Sequence, residues 1–127
     1  MPENHLFEYA VIRVVPRVER EEFLNVGVIL YCKRQQFLGI KFIVNEDRLL
    51  AFCADLDLET LSANLNALTQ ICLGSKAGGP IATLDIPSRF RWITATRSTV
   101  VQASKVHPGL CIDAAATLEK LYLQLVA

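Results

Sequence analysis

Apolar residues gather early in the chain into three runs, Phe7–Val15, Phe23–Cys32 and Phe37–Val44. Each is rich in Val, Ile, Phe and Tyr and has the length of a strand rather than a helix, so the pattern predicts three β-strands. Only Lys33, Arg34, Gln35 and Gln36 separate the second from the third, a spacing that predicts a hairpin. Alternation puts Phe7, Tyr9, Val11, Arg13 and Val15 on one face of the first strand and Ala10, Ile12 and Val14 on the other. In the second strand it sets Leu24, Val26, Val28 and Leu30 against Phe23, Ile29 and Tyr31. Both faces are apolar, so both must be covered, by helices or by a second copy of the chain. Arg13, Asn25, Gly27, Gly39 and Lys41 interrupt these rows, and a glycine inside a strand marks a bulge or a close approach by other atoms.

The period then changes. Asn45 is a suitable N-cap for a short helical stretch through Leu49, Leu50 and Phe52, with acids in its first turn. After Asp55 and Asp57, the residues Leu58, Leu61, Leu65, Leu68 and Cys72 recur at steps of three and four, which predicts an amphipathic helix ending at Gly74. Ser75–Pro80 reads as a loop. Pro87 suits the first turn of a short helix over PSRFRWI, and Thr99–Ser104 predicts a fourth strand. His107, Pro108 and Gly109 carry a turn signal. Asp113 caps a closing helix whose stripe is Leu118, Leu121, Tyr122 and Leu125. Strands first and helices later predict one α+β domain, an antiparallel sheet of three to four strands packed by two or more helices. Should the helices share one face, the other would be closed by a homodimer.

Composition narrows the class without choosing a function. Of 127 residues, 52% are hydrophobic and 20% charged, enough apolar content for a core. Thirteen Lys and Arg balance thirteen Asp and Glu, so overall charge draws the chain neither to nucleic acid nor to a membrane. The opening MPENHLFEYA has no signal layout and no run approaches membrane-spanning length, which predicts a soluble cytoplasmic protein. Cys32, Cys53, Cys72 and Cys111 lie among apolar neighbours without C-x-x-C spacing, so reduced thiols are expected and no metal or cofactor is assigned.

Two stretches carry candidate chemistry. Pro16–Glu22 holds five charges in seven residues and reads either as a solvated loop or single turn of helix or, with Arg13, as guanidinium forks at Arg17 and Arg20 oriented by Glu19, Glu21 and Glu22 toward an anion. Glu22, Asn25 and Arg13 would then form a polar cluster over the gap at Gly27. Between Asp85 and Asp113 there is no acid, while Arg89, Arg91, Arg97 and Lys105 stand among Ser, Thr and Trp92, a kit for phosphate oxygens and rings. Against this, Trp92 and Phe90 read as core rather than as a stacking platform. Gly78 and Gly79 lack the framework of a phosphate loop, and His107 near Cys111 lacks the orienting carboxylate of a thiol catalyst.

The pattern Tyr9, Val11, Arg13, Pro16 followed by Arg20, Glu22, Phe23, Asn25, Val26, Gly27 and Val28 resembles an uncharacterised bacterial family catalogued as domain of unknown function 3037. The segment Arg89–Leu110 resembles that family's second signature, so the likeness spans nearly the whole chain. It implies no activity, and it implies a partner: genes of the family sit beside those of HipA-like kinases. The leading expectation is a non-catalytic binding or regulatory protein that engages a partner protein through Arg13–Asn25. The alternative is a small enzyme or sensor of a compact anionic ligand, held by Arg13, Arg91 and Arg97, with Glu22 as general base. Nucleic-acid binding through Arg89–Lys105 ranks third.

Overall fold

A computed structural model describes residues 3–95 and 99–127. The three predicted strands are β1 (His5–Val14), β2 (Leu24–Cys32) and β3 (Phe37–Phe42), and Lys33–Gln36 turns the last two into a hairpin. Two more strands, β4 (Val101–Ala103) and β5 (His107–Cys111), both pair with β1, giving an antiparallel sheet in the order β3-β2-β1-β4 with β5 also beside β1. The sheet therefore has five strands rather than three or four, and β5 corrects the reading of His107, Pro108 and Gly109 as a turn.

The reasons β5 tolerates Pro and Gly are geometric. Gly109 faces Phe7 across the ladder, and a Cβ there would lie 2.5 Å from the ring's Cζ, so only glycine admits the ring. Val11 turns both its N–H and its C=O toward Ser104, at 2.8 Å to the hydroxyl and 2.8 Å to the amide. Main-chain groups alternate in direction along an antiparallel pair. Odd-numbered residues of β1 thus address β5, and Pro108 has its missing N–H on the free edge, where it disturbs no ladder bond and discourages edge pairing.

Among the described residues, four α-helices pack on the sheet: α1 (Glu46–Phe52), α2 (Leu58–Leu73), α3 (Ile86–Thr94) and α4 (Ala114–Leu125). Their N-caps are the side chains of Asn45, Asp57, Asp85 and Asp113, each accepting from a main-chain N–H of the first turn. On one side, Ala10, Ile12, Val14, Val26 and Ile29 pack with Leu49, Leu61, Leu65, Leu68, Phe90 and Ile93 of α1, α2 and α3. On the other, Phe7, Val28, Leu30 and Cys32 pack with Ala114, Leu118 and Tyr122 of α4. Helices thus cover both faces, as the two apolar rows require. Over β2 and β3, then, neither face is left bare for a second copy to close.

The second strand departs from strict alternation. Ile12 pairs with Gly27 but Arg13 pairs with Asn25, so Val26 is the extra residue of a β-bulge. One inserted residue flips everything beyond it. Leu24 and Val26 therefore join Ile29 and Tyr31 against α2 and α3, and not Val28 and Leu30 as alternation predicts. Among the described residues no helix is long and apolar enough to cross a membrane.

Candidate functional site

The bulge aims a corner of the sheet. Beyond Val26, Asn25 turns to the α4 side, where its Nδ2 donates to Leu125 O at 3.2 Å. The last carbonyls of a helix have no partners within it. Arg48 of α1 also reaches this end, with Nη1 3.4 Å from Val126 O, a cation placed where the helix dipole favours it. On β1, directly across from Asn25, Arg13 lays its guanidinium over the Phe23 ring at 3.9 Å from the centroid.

This corner is incompletely satisfied. Arg13 Nε and Asn25 Oδ1 are both buried, and among the described residues neither has a hydrogen-bond partner. Among the described residues, no carboxylate forms an ion pair with Arg13. An orphaned buried donor or acceptor costs about 1–3 kcal/mol. Around the pair the surface is apolar and open, with Phe23 45%, Ile43 46% and Leu125 36% exposed. Ile43 belongs to the same corner, since its N–H donates to the bulged Val26 carbonyl at 2.9 Å.

The remaining candidate residues go elsewhere. Gly27 is no gap: a Cβ there would meet Lys41 O and Phe42 Cβ at 2.8 Å each, so the missing side chain is space already taken by β3. It also lies on the α2 side of the sheet, away from Arg13 and Asn25. Arg20 and Glu22 form an ion pair with each other in the exposed turn after β1. Arg17 and Arg20 line a cleft of about 360 Å³ with Pro16, Glu22, Cys53 and Asp55. Its two guanidiniums face two carboxylates, so the cleft has no surplus positive charge. Arg91 is exposed on α3, across the sheet from Arg13. Arg97 lies outside the described residues. The convergence of Arg13 with Arg91 and Glu22 on one anion is therefore not assembled here.

Arg89, the start of the basic segment, is a structural residue. Its Nη1 donates to Ile71 O at 2.9 Å and Cys72 O at 3.0 Å, closing the C-terminal turn of α2. Phe90 is core at 1% exposure, whereas Trp92, expected in the core, is 37% exposed on the rim of a cleft beside α2. The four cysteines are free thiols. Burial pushes the Cys72 thiol up to about 12, which removes it as a nucleophile near neutral pH. Burial, the first of several causes, likewise raises Cys111, and β5 holds it in the α4 core rather than in a loop.

Ile43 and Leu125 are the members of the corner that sequence reasoning missed. Leu125 reads as part of a buried stripe, and only its position at the exposed end of the helix, beyond Tyr122, marks it otherwise. Asn25 and Arg13 were visible as polar intruders in apolar rows.

What these elements define is a two-sided α+β domain with a bulged, half-satisfied corner and no assembled catalytic constellation among the described residues. Residues 9–126 match the model of a family described as a protein of unknown function (DUF3037), and the chain belongs to that family. No curated protein and no solved structure matches it.

Proposed function

We propose that this protein is a non-catalytic binding module that engages a partner protein through the corner formed by Arg13, Phe23, Asn25, Ile43 and Leu125. The observation that carries the reading is the cross-strand pair of orphaned polar atoms, Arg13 Nε and Asn25 Oδ1, beneath an exposed Phe23. A free fold that leaves a donor and an acceptor buried and unpaired carries a cost that a docking event removes. A peptide segment has the chemistry to do so. Its C=O suits Arg13, its N–H suits Asn25, and an apolar side chain displacing Phe23 settles against Ile43 and Leu125. Arginine and exposed aromatics are also the residue types enriched at contact hot spots. The partner to which the family resemblance points is a HipA-like kinase.

The test is a photo-crosslinking amino acid at position 23, expressed in the native host, with the same probe at Leu73 on the far helix as the control. A discrete adduct at position 23, lost when Arg13→Ala is added, is expected. Equal labelling at both positions, or none at 23, would end the proposal, and mass spectrometry of the adduct decides whether the partner is a kinase.

A further inference from the structure

Pro108 guards the free edge of β5, whereas β4, farther along the same side of β1, contains neither proline nor charge. Val15 N–H donates to Val100 O at 2.6 Å and Ser104 N–H to Val11 O at 2.8 Å. Main-chain direction alternates along a strand, so Val100, Gln102 and Ser104 address β1. Val101 and Ala103 then address the outer side, where β4 stands last in the strand order. The Thr99 hydroxyl donates to Val101 O at 2.6 Å. Among the described residues, the Val101 N–H and both main-chain groups of Ala103 have no partner.

Beside this edge a cleft of about 250 Å³ opens between β4 and the helices α2 and α3. Val101, Gln102 and Ala103 all line it. Side chains of consecutive strand residues point to opposite faces, so a cleft that touches all three reaches the main chain of the strand and not one face alone. The helices contribute Ala67, Leu68 and Ile93, and among the described residues no charged side chain lines the cleft.

We propose that this edge and cleft bind an extended, uncharged, apolar segment of a partner protein, which joins the sheet beside β4 as a further strand. Strand addition takes its affinity from main-chain hydrogen bonds and its specificity from pockets for alternate side chains. Here the unpaired main-chain groups and the pocket adjoin. Carbonyls of the segment accept from the Val101 and Ala103 N–H groups, one of its N–H groups donates to Ala103 O, and its alternate side chains enter the cleft. A second copy of the chain fits less well. The Val101 and Ala103 side chains of its own β4 are already packed on its core, so that strand has nothing on this face to place in the cleft. The cleft lies on the α2 and α3 side of the sheet, away from the corner at Arg13 and Asn25, so neither site depends on the other.

Selection from a phage-displayed library of short random peptides on the full chain tests this. Enriched peptides are expected to be uncharged, with apolar residues at alternate positions, and their binding should slow amide exchange at Val101 and Ala103. N-methylation of a selected peptide in the phase that faces β4 should weaken it at least about tenfold, while the opposite phase keeps its affinity. Ala103→Pro removes an outward N–H and leaves the ladder to β1 intact. Ala67→Glu sets a charge in the cleft from an exposed helix position. Each should cost at least about tenfold in peptide affinity. A library that yields no binder overturns the proposal, as does a binder indifferent to N-methylation or to both substitutions. Self-association of the chain that Ala103→Pro abolishes would give the edge to a second copy and overturn it too.

Discussion

Ser104 stands in for a main-chain partner of Val11. Its amide donates to Val11 O and its hydroxyl accepts from Val11 N–H, both at 2.8 Å, although the two residues are 93 positions apart. The edge of the sheet beside β1 is made of two short strands, and between them the ladder would otherwise be open. A side-chain oxygen closes it, which is why Ser104 is buried at 6% exposure in an apolar setting. Its proton goes on to Lys105 O at 2.9 Å, so the hydroxyl is satisfied in both directions.

Ser104→Ala should therefore leave the Val11 N–H buried and alone. The expected loss is about 1–3 kcal/mol, read as a lower urea midpoint with unchanged slope. Hydrogen exchange should accelerate first at Val11. A variant as stable as the wild type would mean that water fills the place of the hydroxyl.

Gly27→Ala tests the close approach of β3. The added methyl would stand 2.8 Å from Lys41 O and Phe42 Cβ, and both belong to the chain trace or its first side-chain atom, which cannot rotate away. Overpacking of this kind costs about 1–3 kcal/mol. Exchange protection should fall along Phe37–Phe42 more than along the β1–β5 pair. Uniform loss of protection would place the strain elsewhere.

Acid sensitivity should come partly from helix caps. Hydrogen bonds from Thr60 hold Asp57 below its ordinary value of 3.8, and bonds from Ser88 do the same for Asp85. A carboxylate with a depressed folded pKa contributes stability that is fully present above the unfolded value and lost as pH falls through the folded one. Stability should thus be flat just above pH 5 and decline through and below about 4. In Asp57→Asn and Asp85→Asn, which keep a capping oxygen, the decline should be shallower. An unchanged slope in the double variant would remove the caps from the account.

Much of the architecture was legible in the order of residues because it depends on local rules. The hairpin at Lys33–Gln36, the caps at Asn45 and Asp113, and the stripe from Leu61 to Cys72 follow from periodicity, capping chemistry and length. β5 was hidden because Pro108 and Gly109 carry turn chemistry. They serve as strand residues only because the free edge spares an N–H and the Phe7 ring covers a glycine. The bulge was half visible: the intruding Asn25 and Gly27 marked its place, but not that Val26 was the extra residue.

The sequence alone determined that two apolar faces had to be covered and that Arg13 and Asn25 were foreign to their rows. Whether those two residues would meet depended on a one-residue register shift, and that shift is set by pairing between strands, not within one. Likewise only the tertiary structure decided that Arg91 belongs to the opposite side of the sheet from Arg13. Long-range pairing chooses which side chains become neighbours, and no local pattern encodes that choice.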